Sequence, residues 1–250
     1  MLIQNHRFTT LLSDPICSYR IILPEVYDKT LYWLHGFQER SGDIIFKADF
    51  EEYAENCQMA IVIPDLPDTY YLDQSWNECY TEEFFFEEFM PYIQKNYQLS
   101  ADRSKNFIGG VSMGGFGSLL YASHHPELFS KVISISGAFI IEDLLIGNPE
   151  VTGIFEGNLA YFQNIFGDIP SLEEDISRNP LKAALSADPS VLPEIVLACG
   201  RNDMLYSRNV KLKDCLLQAG IHTIWAENDV SCHSSHNWLC FNHLLRKIWM

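Results

Sequence analysis

Residues 106–117, Asn-Phe-Ile-Gly-Gly-Val-Ser-Met-Gly-Gly-Phe-Gly, leave the backbone few paths to follow. Lys105 to Gly109 is a short apolar run with a basic start, which suits a buried parallel strand. Phe116, Leu119, Leu120 and, less strictly, Ser123 mark one helical face, and Pro126 stops that helix after His124-His125. Between strand and helix stands Gly110-Val111-Ser112-Met113-Gly114, with the Gly-x-Ser-x-Gly spacing of a nucleophile elbow. A serine hydroxyl is a weak nucleophile at neutral pH, so it must be held proud of its surroundings, with a base on one side and a carbonyl on the other. A sharp strand-to-helix turn does this in strained backbone, and the residues two before and two after the serine pass so closely that side chains beyond hydrogen are barely tolerated. Gly110 and Gly114 meet that demand. A glycine-rich turn built for phosphate would carry a Lys-Ser or Lys-Thr pair after its glycines, and none follows here.

The elbow needs a sheet around it, and the rest of the chain supplies one. Tyr19–Leu23, Thr30–Leu34, Met59–Ile63, Asn106–Gly109, Lys131–Ser136, Glu194–Cys199 and His222–Ala226 read as strands, most of them continuous apolar runs. Helical patterns at Asp43–Cys57, Thr81–Tyr97, Met113–His124, Ser207–Ala219 and Asn237–Trp249 lie between and after them. The alternation predicts an α/β fold: a doubly wound, mostly parallel sheet with helices on both faces. In the helix from Thr81, acidic residues early in the segment complement the dipole, and Phe85, Phe89 and Tyr92 or Ile93 form the apolar face. Residues 138–190 break the alternation with glycines, prolines and the aromatics Phe155, Tyr161, Phe162 and Phe166, as expected of a cap-like insertion or of a peripheral excursion with its own small apolar cluster.

With 250 residues and 47% hydrophobic content, one domain over 1–250 with that insertion is expected. A formal charge of −16 speaks against a nucleic-acid partner, which would require clustered Lys and Arg. The first residues hold no apolar stretch long enough for a signal peptide, and no run approaches a membrane span, so a cytoplasmic location and no membrane partner are expected. Seven cysteines without CxxC spacing argue for reduced thiols.

An elbow serine needs an acid and a base, which in this architecture follow it in that order. Glu194–Cys199 runs into Gly200-Arg201-Asn202-Asp203, which sets a carboxylate just past a strand's carboxyl end, where open α/β sheets build their sites. Asp203 is the expected acid and Asp229, after the next strand, its competitor. The one histidine cluster in a loop after the last strand is Cys232-His233-Ser234-Ser235-His236. His236, directly before the final helix, is preferred as base, with His233 deeper in the loop as the alternative. Cys232, His233, His236 and Cys240 would also make a four-ligand zinc set, but adjacent Cys232 and His233 strain a tetrahedral site, so no metal is expected. Oxyanion donors are expected at the amides of Met113, after the nucleophile, and Phe37, in the turn His35-Gly36-Phe37 after an early strand. His35 braces that turn. His35, Trp76, Phe155 and Phe162 are candidate substrate contacts.

The chain resembles the esterase D / tributyrin esterase family of serine esterases, which includes feruloyl-esterase-like, acetyl-esterase-like and S-formylglutathione-hydrolase-like members. The likeness rests on Leu34-His35-Gly36, Ile63-Pro64-Asp65, Gly110–Gly117, His125-Pro126-Glu127-Leu128-Phe129, Ser136-Gly137-Ala138, Gly200-x-x-Asp203 and His236-Asn237-Trp238. It implies an α/β-hydrolase fold with nucleophile, acid and base on Ser112, Asp203 and His236. The family usually has glycine just before its base, whereas this chain has Ser234-Ser235, which leaves His233 open beside His236. The segment before His35 is shorter than usual, so edge strands are expected to be missing or rearranged. The implied activity is hydrolysis of a small-molecule ester with a short acyl chain, including acetylated or feruloylated carbohydrates, through an acyl-enzyme and without cofactor. A thioesterase of the S-formylglutathione type and a noncatalytic binding protein of the same fold are the alternatives. The resemblance is compatible with a homo-oligomer.

Overall fold

The computed structural model describes residues 2–8, 17–44, 49–148, 159–229 and 233. Its strands are β1 (Leu2–Phe8), β2 (Cys17–Leu23), β3 (Lys29–Leu34), β4 (Met59–Pro64), β5 (Asp73–Gln74), β6 (Cys79–Tyr80), β7 (Asn106–Val111), β8 (Lys131–Ile135), β9 (Glu194–Gly200) and β10 (Thr223–Asn228). Among the described residues, eight of them form one sheet in the order β1-β2-β4-β3-β7-β8-β9-β10, while β5 and β6 pair separately. From β4 to β10 every neighbour is parallel. The other two join at the β4 edge as antiparallel strands. Both edge strands are therefore present despite the short segment before His35.

The chain runs from β3 outward to β4, then crosses back to lay β7 on the other side of β3. At such a reversal the connections leave in opposite directions and open a crevice at the strands' carboxyl ends. Register keeps those ends level: Leu34 pairs with Gly110, Gly110 with Ser134, and Ser134 with Leu197. Residues just past these positions come from four loops and share one edge.

Each face of the sheet has its own core. One holds Ile22, Leu31, Trp33, Ile61 and Val196 against Phe50, Tyr53 and Ala54 of the helix Phe50–Cys57. The larger packs Tyr32, Ile108 and Leu197 against the helix Met113–His124. Among the described residues, Ile165, Phe166 and Leu172 of the insertion join this second core. Residues 45–48, in the helix expected over Asp43–Cys57, and the helix expected over Asn237–Trp249 lie outside the described residues.

The phenylalanine-rich segment departs from its simple helical face. Phe84–Phe89 is a π-helical stretch between Thr81–Glu83 and Met90–Tyr97, and Phe84, Phe85, Phe86 and Phe89 are all buried. The wider turn brings more of the run inward than a 3.6-residue period allows.

Candidate active site

Ser112 follows β7 directly and begins the helix Met113–His124 with φ 53° and ψ −116°, a conformation that costs a non-glycine residue about 1–3 kcal/mol. The surrounding structure holds it there. Its N–H donates to the Ile135 carbonyl at 3.0 Å, and its carbonyl accepts from the amides of Phe116 (3.1 Å) and Ala138 (2.9 Å). A Cβ on Gly110 would stand 2.5 Å from the Gly114 carbonyl carbon, and one on Gly114 only 2.0 Å from the Leu34 oxygen. Backbone on three sides leaves no room for alanine at either position.

The histidine that reaches this serine is His233. Its Nε2 lies 2.9 Å from Ser112 Oγ, and its Nδ1 lies 3.2 and 3.1 Å from the two carboxylate oxygens of Asp203. A carboxylate only accepts, so Nδ1 carries the proton and Nε2 is left to accept from the serine hydroxyl. His236, the preferred expectation, lies outside the described residues, as do Cys232, Cys240 and Phe155. His233 stands five positions after Asn228, where β10 ends.

Asp203 has a wholly buried side chain, and its Oδ1 also accepts the Leu205 amide at 2.8 Å. Burial pushes its carboxyl up, but the hydrogen bond and charge of His233, the Leu205 amide and the Ser136 hydroxyl together hold it below the ordinary aspartate value. The acid is therefore an anion across the neutral range. Cys199, close beneath, is pushed up to about 12 by burial and by Asp203, so it stays a thiol. Asp229, the competing acid, is 83% exposed and paired with Arg201.

The turn after β3 is held amide by amide. Gly36 N–H donates to Glu39 Oε2 and Gln38 N–H to Asp68 Oδ1, each at 2.9 Å, which fixes the direction of the Phe37 peptide between them. His35 is fully buried. Its Nδ1 stands 2.7 Å from the Gly36 carbonyl, its Nε2 3.1 Å from the Leu66 amide and 2.9 Å from the Leu66 carbonyl, and the Tyr71 hydroxyl donates to the His35 carbonyl at 2.7 Å. Both ring nitrogens are thus spent on backbone groups of Gly36 and Leu66, which braces the turn. Met113 is the first residue of its helix, so its N–H has no partner within that helix.

The other two candidate contacts in the described residues differ in burial, Trp76 being 42% exposed and Phe162 0%. Trp76 Nε1 donates to the Asn164 carbonyl at 2.9 Å and its ring lies under Arg178, while Phe162 is completely buried beside Phe166. Tyr161, one of the insertion's aromatics but not among the named substrate contacts, meets Phe37 edge-on at 6.0 Å. Only its place among the insertion's aromatics could have drawn attention to it. A cavity of about 240 Å³ is lined by Phe116, Phe139 and Leu212 together with the charged Glu142, Arg208 and Lys211. Among the described residues, no three His, Cys, Asp or Glu side chains are grouped to hold a metal, and no helix is long and apolar enough to cross a membrane.

A family model described as "Putative esterase" matches residues 18–163. An acetyl esterase of Caldicellulosiruptor saccharolyticus is 31% identical over 227 residues, covering 89% of this chain and 83% of that protein. Among solved structures, the Staphylococcus aureus fluorophosphonate-binding serine hydrolase FphF superimposes with a TM-score of 0.84 at 21% identity, covering 99% of this chain and 96% of that one. A ferulic acid esterase gives 0.79 at 23% identity, with 99% and 97% covered. The S-formylglutathione hydrolase of Staphylococcus aureus gives 0.79 at 20%, with 100% and 98% covered. At such identities these structures speak for the fold, which is that of the α/β hydrolases.

Proposed function

The chain belongs to the esterase family, and from that premise we propose that it hydrolyses short-chain acyl esters by acyl transfer to Ser112, with His233 as base and Asp203 as its orienting acid. The observation that carries this reading is the unbroken hydrogen-bonded line from Asp203 through His233 to Ser112. As Ser112 Oγ attacks the ester carbonyl, its proton passes to His233 Nε2, and the resulting imidazolium is stabilised by the buried Asp203 anion. The amides of Met113 and Phe37 receive the oxyanion. The imidazolium then protonates the leaving alcohol as the ester bond breaks. Water, deprotonated by the same nitrogen, releases the acid and restores the serine. No cofactor takes part in this scheme.

An ester rather than a thioester is supported by the relative named acetyl esterase. The Tyr161 ring meets Phe37 of the oxyanion turn edge-on, an aromatic pair that supports an acetyl or feruloyl group on a carbohydrate as the substrate. The Tyr161 hydroxyl is pushed up to about 12 by burial and by Asp68, so it stays protonated and able to donate. Among the described residues five cysteines are free thiols, in keeping with a cytoplasmic location.

Ser112→Ala is expected to lower p-nitrophenyl acetate turnover by at least about 10⁴-fold and to abolish fluorophosphonate labelling. Wild-type turnover in that variant would remove the serine from the reaction. A panel of esters varying in acyl length and alcohol should favour short chains, whereas faster hydrolysis of S-formylglutathione than of acetyl esters would select the thioesterase.

A further inference from the structure

Asn209 lies in the helix Tyr206–Gln218 and is completely buried. Asparagine is a poor helix former, and burying its amide is costly unless the polar atoms are met. They are met entirely by backbone. Its Nδ2 donates to the carbonyls of Gly137 and Leu205, each at 2.9 Å, and its Oδ1 accepts the Gly137 N–H at 3.1 Å. The amide thus grips both polar groups of a single residue in the loop after β8.

That residue sits in a strained turn. Ser136 before it has φ 48°, and a Cβ on Gly137 would stand 2.3 Å from the Phe139 ring and 2.5 Å from Ser134 Oγ. Ala138 after it donates its N–H to the Ser112 carbonyl at 2.9 Å. On its other side, Asn209 holds the carbonyl of Leu205, whose own N–H donates to Asp203 Oδ1 at 2.8 Å. One buried amide therefore joins the turn that supports the nucleophile to the turn that supports the acid.

We propose that Asn209 is a positioning residue for ester hydrolysis: by clamping Gly137 and Leu205 it sets the separation of Ser112 and Asp203, across which His233 must span. The proposal rests on the serine esterase reading above. Errors of about 1 Å in such an arrangement can cost on the order of 10²-fold in rate.

Asn209→Ser retains a hydroxyl that can bond back to the Leu205 carbonyl four residues earlier but cannot reach around Gly137, while Asn209→Leu removes all three bonds at similar volume. With p-nitrophenyl acetate, and rates expressed per folded protein from the thermal melt, each is expected to lose about 10- to 100-fold in kcat with KM within about twofold. Because Asn209 acts by placing Asp203 against Ser112, its effect should overlap with that of the acid, and the double variant Asn209→Ser/Asp203→Asn should fall by less than the product of the two single losses. Wild-type kcat in Asn209→Ser, or losses that multiply in the double variant, would overturn the proposal. Ser112→Ala, run alongside, separates the two levels. If it stays active, the serine reading fails and this one with it; if it is inactive while Asn209→Ser is unaffected, only the role of Asn209 fails.

Discussion

The helix Met113–His124 carries a histidine–carboxylate pair at each end, and only one of the two can act as a base. At its amino end, His233 Nδ1 meets Asp203 at 3.1 Å and Nε2 faces the Ser112 hydroxyl at 2.9 Å. At its carboxyl end, His124 Nδ1 meets Glu82 at 2.7 Å and Nε2 faces the Ile176 carbonyl at 2.8 Å. A hydroxyl can donate into a lone pair, whereas a carbonyl can only accept. His124 therefore needs protons on both nitrogens to keep both partners, and an imidazolium has no lone pair with which to take another. A neighbouring carboxylate does not by itself make a base. What faces the second nitrogen decides.

Charge follows the same division. Burial pushes the His124 ring down, but the hydrogen bond and charge of Glu82, the Ile176 carbonyl and Asp73 outweigh it and raise the ring above the ordinary histidine value. Burial likewise pushes the Glu82 carboxyl up, and hydrogen bonds and charge from His124 and His125 hold it below its ordinary value. His125 adds a second contact to Glu82 at 3.2 Å, packs at a tilt against the Phe86 ring and lies 3.7 Å from Glu127. The pair joins three segments: the start of the phenylalanine-rich helix, the end of the elbow helix, and the insertion.

Exchanging the histidines tests the contrast most severely. His233→Ala should lower kcat by on the order of 10³- to 10⁴-fold, while His124→Ala and His236→Ala stay within a few-fold of wild type. Comparable losses at His236 would return the base to the position preferred from sequence. A smaller but still large effect is expected at the acid, where Asp203→Asn should cost about 10²- to 10⁴-fold and Asp229→Asn almost nothing, because Asp229 is engaged with Arg201 at the surface. Equal rates for these two variants would dissolve the line through Asp203.

The smallest effect is one of stability. A raised histidine contributes fully below its unfolded value of about 6.5 and loses that contribution as pH rises through its folded value. A lowered glutamate contributes above its unfolded value of about 4.3 and loses it as pH falls through its folded value. Thermal melts of wild type and His124→Gln should therefore differ most between about pH 4.5 and 6.5 and converge toward pH 9. A gap independent of pH would mean that His124 is held as a neutral ring.

Much of the scaffold was readable from periodicity because buried parallel strands are continuous apolar runs: the seven expected strands lie on or close to β2, β3, β4, β7, β8, β9 and β10. β1 escaped because Leu-Ile-Gln-Asn-His-Arg-Phe, on an antiparallel edge, is partly solvated and lacks such a run. Locally Glu82 is one of the acidic residues that complement a helix dipole, and its placement against two histidines from the far end of another helix has no local signature. His35 as a brace followed from its place in the turn, whereas its partner Leu66 arrives from 31 residues away.

What the sequence determined alone is the elbow, because its constraints are steric and local: two glycines where a Cβ would strike backbone, a serine between them, a strand before and a helix after. The place of Asp203 just past a strand's carboxyl end is also legible in sequence, but only the tertiary structure decided which histidine meets that serine and that acid, and which nitrogens carry protons. Those outcomes depend on how far a few residues reach beyond β10 and on which donors and acceptors distant segments bring to each ring. Spacing along the chain does not encode either distance.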